Sequence, residues 1–174
     1  MDAQSLENIL KKIQKGDLSV ADAMNQLKYF SYDDIGHTKI DDHREYRTGY
    51  PEVIYCSGKT PVQVREIFEA MQGKDVNIIA TRASKETYEE VVRAIPEAEY
   101  HEMARIITLK KKEIPYVKTY ISIVSAGTSD MPVAEEAAIS AEFFGNPIKR
   151  FYDVGVAGIH RLQKNISDIN NGKV

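Results

Sequence analysis

TYISIVSAGTSDMPVAEEAA, residues 119–138, decides the fold. Tyr120-Ile121-Ser122-Ile123-Val124 reads as a buried strand, Ser125-Ala126-Gly127-Thr128-Ser129-Asp130 as a turn of small residues, and Pro132 opens a helix. A strand that stops at a glycine and feeds a helix leaves free backbone N–H groups and a positive dipole end at its tip, which suits phosphate or carboxylate. Ser125, Gly127, Thr128, Ser129 and Asp130 are therefore candidates to hold an anion and the hydroxyls of a ribose. An ordinary capped βα turn has the same local sequence, so the decision rests on what lies beside it.

A matching loop follows downstream. Residues 148–154 read as a strand that ends at Gly155-Val156-Ala157-Gly158-Ile159-His160-Arg161, with a helix running to about residue 169. Adjacent strand-end loops on a parallel sheet converge on one crevice. There His160 suits proton transfer near neutral pH and Arg161 suits an anion. A helix-start histidine bonded to backbone is the plainer alternative.

Upstream, Leu6, Ile9, Leu10 and Ile13 share one helical face, Gly16 is a stop, and Ser19 caps a second helix carrying Val20, Ala23, Met24 and Leu27. Residues 1–30 are thus expected to form a helical hairpin appendage, too short to own a core. Residues 31–112 are expected to form an N-terminal α/β unit. Its opening is aperiodic and holds Arg44 and Arg47, three apart and able to clamp one phosphate or carboxylate, or else solvated in local ion pairs.

From Pro51 the pattern predicts a βαβα unit, parallel with right-handed crossovers. Thr60 and Pro61 are placed as cap and first helical residue, and Cys56 lies inside a strand as a buried, inert thiol. Gly58-Lys59-Thr60 matches the tail of a P-loop, but Val53 stands where that loop needs its first glycine, which excludes it. Lys59 and Arg82 sit just past strand ends, where open α/β sheets place their ligands. Lys110 to Pro115 is the linker candidate, and residues 116–174 are expected to form a second α/β unit.

The 174 residues carry a net charge of −3, which gives no electrostatic footprint for nucleic acid. No apolar run reaches membrane-spanning length and the N-terminus has no signal pattern. A single cysteine excludes an internal disulfide and fits a cytoplasmic protein. His37, His43, His101 and His160 form no zinc-type spacing with Cys56, so no metal site is expected from the residues.

Three motifs in order, DHREYRTGYPEVIYCSGKT (42–60), SAGTSDMPVAEEAA (125–138) and YDVGVAGIHRL (152–162), resemble the LarB family, which makes the nickel-pincer nucleotide cofactor in lactate racemase maturation. The C-terminal half is similar in turn to PurE, the carboxyaminoimidazole ribonucleotide mutase. Ser129-Asp130 and His160-Arg161 match PurE turns, whereas Ala126-Gly127 and Gly158-Ile159 depart from them and favour the LarB branch.

The resemblance implies an α/β fold: the helical hairpin, the βαβα unit, and an incomplete PurE-like (flavodoxin/Rossmann-like) parallel βα unit. It implies carboxylation of the pyridinium ring of nicotinic acid adenine dinucleotide by CO₂ or bicarbonate, with phosphoanhydride cleavage releasing AMP. It also implies Mg²⁺ on the pyrophosphate, a homo-oligomer when complete, and a catalytic cysteine in a further PurE-like segment. Cys56 does not take that role, so the chain is expected to stop short of the cysteine, with the strand starting at Lys173-Val174 cut, and to be inactive in this form. A non-catalytic nucleotide-binding or assembly module, and a PurE-like mutase acting on aminoimidazole ribonucleotides, are the rival expectations.

Overall fold

The computed structural model describes residues 3–27, 33–41, 44, 49–74 and 76–172, so Arg47, His43 and Lys173-Val174 lie outside the described residues. The chain packs as two units, Met1–Glu52 and Val53–Val174.

In the first unit, α1 (Ala3–Lys15) ends at Gly16, whose φ of +78° suits a residue without a Cβ. The Ser19 hydroxyl accepts from the Asp22 N–H at 3.0 Å and caps α2 (Val20–Leu27). The expected apolar stripe is only partly buried: Ile9 and Ala23 are covered, whereas Leu10, Val20 and Met24 are exposed. Two helices this short present too little surface to bury a whole stripe between them. A two-residue antiparallel pair, β1 (Asp33–Asp34) with β2 (Lys39–Ile40), follows.

The second unit begins with β3 (Val53–Tyr55), α3 (Pro61–Gln72), β4 (Ile78–Thr81), α4 (Lys85–Ala94), β5 (Glu99–His101) and β6 (Ile106–Leu109). Thr60 Oγ1 accepts from Gln63 N–H at 3.2 Å while Gln63 Oε1 accepts from Thr60 N–H at 2.9 Å, a reciprocal box that starts α3 at Pro61. Ser84 caps α4 through Thr87 N–H.

The strands form one sheet in the order β3-β4-β6-β5. Only β3 and β4 are parallel; β6 runs antiparallel to both β4 and β5. The expectation of an all-parallel unit is thus corrected to a mixed sheet. The connection from His101 to Ile106 is a tight turn, and a link that short joins antiparallel strands only.

Next come β7 (Ile121–Val124), α5 (Met131–Phe143), β8 (Ile148–Phe151) and α6 (Ile159–Asn170), with β7 and β8 parallel and paired from Ile121↔Ile148 to Val124↔Phe151. Parallel strands need cover on both faces. Helix α5 packs on β7 and β8 and also reaches β4. Its Phe143, flanked by Ile139 and Phe144, joins Ile79, Ala104 and Ile106 in one apolar cluster. The opposite face of the four-stranded sheet carries Tyr100, stacked on Tyr88 of α4 at 5.0 Å between ring centroids. Helix α6 returns along β7: Tyr120 Oη donates to the Asp168 carbonyl at 2.6 Å and Ser122 Oγ to the Ile169 carbonyl at 3.0 Å.

Residues 110–120 have no regular structure, yet they are held. Asn77 Oδ1 accepts from the N–H groups of Lys111 and Lys112 at 2.7 and 2.8 Å. Val117 N–H donates to the Gly145 carbonyl at 2.9 Å. Gly145 ends α5 at φ +82°, where an added Cβ would sit 2.5 Å from the Pro115 carbonyl oxygen.

Backbone conformation and contact both reject a side chain there, so Gly145→Ala is expected to destabilise the protein by about 1–3 kcal/mol, read as a lowered urea midpoint. An unchanged midpoint refutes this account of the turn.

Candidate functional site

The parallel pairing of β7 and β8 continues past the strands. Ser125 N–H donates to the Phe151 carbonyl at 3.1 Å, Val154 N–H to the Ser125 carbonyl at 3.1 Å, and Gly155 N–H to the Ala126 carbonyl at 2.9 Å. The loops 125–130 and 153–158 are therefore laced together at the carboxyl ends of the strands. Gly155 makes this possible: an added Cβ would lie 2.7 Å from the Ala126 carbonyl oxygen.

Residues Thr128–Asp130 form a 3₁₀ turn leading into α5. Asp130 Oδ2 accepts from the Gly127 N–H at 2.9 Å, which closes the loop on itself beside the helix N-terminus. Gly127 is half-buried, and Thr128 and Ser129 are exposed. Ser125 is 7 % exposed, and its Oγ is buried without a hydrogen-bond partner among the described residues. A groove of about 490 Å³ runs here, lined by Ser122, Val124, Ser125, Asp130, Val133 and Ala137 among others. A buried hydroxyl without a partner favours an incoming hydrogen-bonding group.

On the second loop, Arg161 Nη1 donates to Asp153 Oδ2, and the guanidinium lies against Gly158, where any Cβ would meet it. Asp153 takes the left-handed backbone at φ +57°. His160, in the first turn of α6, is exposed to solvent. The structure thus brings Ser125, Gly127, Thr128, Ser129, Asp130, His160 and Arg161 onto two adjoining loops, with Arg161 already bound to Asp153.

The remaining candidates have other partners. Lys59 Nζ donates to the Tyr55 carbonyl at 2.8 Å. Arg82 Nε donates to Glu136 Oε1 on α5 at 2.8 Å, and this hydrogen bond raises the guanidinium pKa. Arg44, exposed, belongs to the first unit.

Cys56 is buried, and burial pushes its thiol up to about 11 against the opposing charge of Lys59, so almost none is thiolate at neutral pH. Among the described residues, no three His, Cys, Asp or Glu side chains gather to hold a metal. No helix among them is long and apolar enough to cross a membrane.

An ionic cluster on α5 escaped the sequence reading. Arg150 of β8 donates through Nε to Glu135 at 3.0 Å and through Nη1 to Glu142 at 2.9 Å, while Tyr152 Oη donates to Glu135 at 2.8 Å. Burial first, and then this bond, push the Tyr152 phenol up to about 12. Glu135 and Glu142 are two turns apart on one face, which is the only local trace that these partners leave in the sequence.

Residues 32–112 match the LarB/PurE-like N-terminal domain family. An uncharacterized protein of Methanocaldococcus jannaschii is 34% identical over 169 residues, which takes in 91% of this chain and 65% of the relative. The chain thus spans just under two thirds of that relative's length.

His101 of β5 gives a pH signature. Its Nε2 lies 3.0 Å from Thr108 Oγ1, and burial lowers its pKa while Glu99 pulls the other way. With the folded pKa below the unfolded one, the unfolded chain binds more protons as pH falls from about 6.5. Stability is therefore expected to be full above that pH and to drop as pH falls through the folded value. His101→Gln should flatten this part of a urea-midpoint profile, and an unaltered slope would count against His101 as its source.

Proposed function

We propose that this chain belongs to a LarB-type enzyme that carboxylates the pyridinium ring of nicotinic acid adenine dinucleotide and cleaves its phosphoanhydride. The products are pyridinium-3,5-biscarboxylic acid mononucleotide and AMP, on the route to a nickel-pincer nucleotide cofactor. The observation that carries this reading is the pair of laced strand-end loops with the unpartnered Ser125 hydroxyl at their base.

In this reading the Gly127–Asp130 loop and the N-terminus of α5 receive the phosphates, because their N–H groups and dipole favour negative charge. The Ser125 hydroxyl supplies a further donor. His160 stands at the reacting end as the proton carrier, and Arg161, fixed by Asp153, offers the rest of its guanidinium to a carboxylate. Mg²⁺ keeps most of its waters and binds phosphate oxygens with one or two carboxylates, so it fits this site on the substrate's pyrophosphate without a protein cage. Bound there, it would supply charge neutralisation.

Covalent catalysis of the LarB kind needs a thiolate that adds to the ring. The sole cysteine of the sequence, Cys56, is buried with a raised pKa and does not qualify. That observation favours a second reading, in which this chain binds the nucleotide and the thiolate comes from elsewhere. A PurE-like mutase on aminoimidazole ribonucleotides is the third. Oligomerisation and a cytoplasmic setting belong to the proposal as well.

Incubation with nicotinic acid adenine dinucleotide, bicarbonate and magnesium, followed by AMP release and by calorimetry, separates the readings. Binding without AMP release is the expected outcome for this chain. AMP release would overturn the requirement for another cysteine, and turnover of aminoimidazole ribonucleotide would select the third reading. Asp130→Ala, which opens the Gly127–Asp130 loop, is expected to weaken dinucleotide binding about tenfold. Unchanged affinity removes Asp130 from the site.

A further inference from the structure

Helix α5 is secured by three attachments on two sides. Ile139, Phe143 and Phe144 at its C-terminal end pack on Ile79, Ala104 and Ile106. Glu135 and Glu142 bind Arg150 of β8 on one flank. Glu136, two turns before Phe143 on the same face, accepts from Arg82 just past the end of β4. The first holds the C-terminal end of α5 on the four-stranded sheet, and the second holds the helix on its own sheet. Arg82–Glu136 is different: it ties the N-terminal half of α5, next to the 125–130 loop, to the end of a strand in the four-stranded sheet.

The backbone at Arg82 is unusual. It sits at φ +56°, in the left-handed region that a non-glycine residue adopts only at a cost. Arg82 is 46 % exposed in this pair, and an exposed ion pair contributes little to stability. The pair therefore adds little to folding. What it does fix is a position.

We propose that Arg82 is a positioning residue: through Glu136 it holds the N-terminal half of α5, and with it the Gly127–Asp130 loop, in the orientation that receives the nucleotide phosphates. This rests on the reading of that loop as the nucleotide site. Arg82 makes no contact with the ligand itself. It lets the β3-β4 pair set the geometry of a site built on β7 and β8.

Glycine at position 82 removes the guanidinium and relieves the left-handed backbone together, which separates positioning from folding. Arg82→Gly is expected to melt at the wild-type temperature or above it while binding nicotinic acid adenine dinucleotide about fivefold more weakly. Glu136→Gln should show the same loss, and Arg82→Lys should recover most of the affinity. Wild-type affinity in Arg82→Gly overturns the proposal, as does a loss of affinity matched by a fall in melting temperature.

Failure of the wild-type chain to bind the dinucleotide would instead refute the proposed substrate. Hydrogen exchange then decides the inference on its own terms. Protection of amides 131 and 133–136 should fall in Arg82→Gly while that of 139–143 stays, and equal protection throughout overturns it.

Discussion

Phe143 against Ile79 and Ile106 is the contact on which the second unit depends. A parallel pair such as β7–β8 is stable only when its faces are covered, and the mixed sheet β3-β4-β6-β5 has one face left over once α3 and α4 occupy the other. Helix α5 serves both needs at once. Its composition matches that double role, since Ala134, Ala138, Ile139 and Phe143 spread around the helix rather than along one stripe, as expected for a helix packed on more than one side. The charges it carries are confined to Glu135, Glu136 and Glu142, and each meets an arginine.

The candidate site inherits its precision from that burial. The loops 125–130 and 153–158 sit at the strand ends because β7 and β8 are in register, and backbone hydrogen bonds extend that register by three steps. Gly155 permits the close approach, Gly158 makes room for Arg161, and Asp130 folds the first loop back on Gly127. Within this rigid frame the Ser125 hydroxyl is a buried polar group left unsatisfied. Among the described residues the Ser125 hydroxyl and Arg161 Nε are both buried without a partner, and open hydrogen-bonding positions of this kind favour a ligand over a plain turn. Cys56, by contrast, is buried, and its chemistry is suppressed by that burial.

Much of this was legible in the residues. The strand–turn–helix at 119–138, the cap at Thr60, the stops at Gly16 and Gly145, and the buried Cys56 all follow from local signals: periodicity, capping chemistry and the tolerance of glycine for positive φ. These are interactions between residues a few positions apart, so a linear reading contains both partners. The antiparallel run of β5 and β6 is not legible in this way, because short apolar strands carry no mark of their orientation; only the length of the turn between them does.

Local chemistry by itself therefore determined the elements, their ends and the loops that carry the candidate residues. Tertiary structure alone decided who meets whom. Arg82 and Glu136 stand 54 residues apart, and Tyr152 finds Glu135 from beyond a different strand. The same holds for Ser125, whose hydroxyl is notable only because packing removed water from it without providing a partner. Pairings and desolvation are properties of the packed chain, set by which faces are buried together, and no window of sequence holds both sides of such a contact.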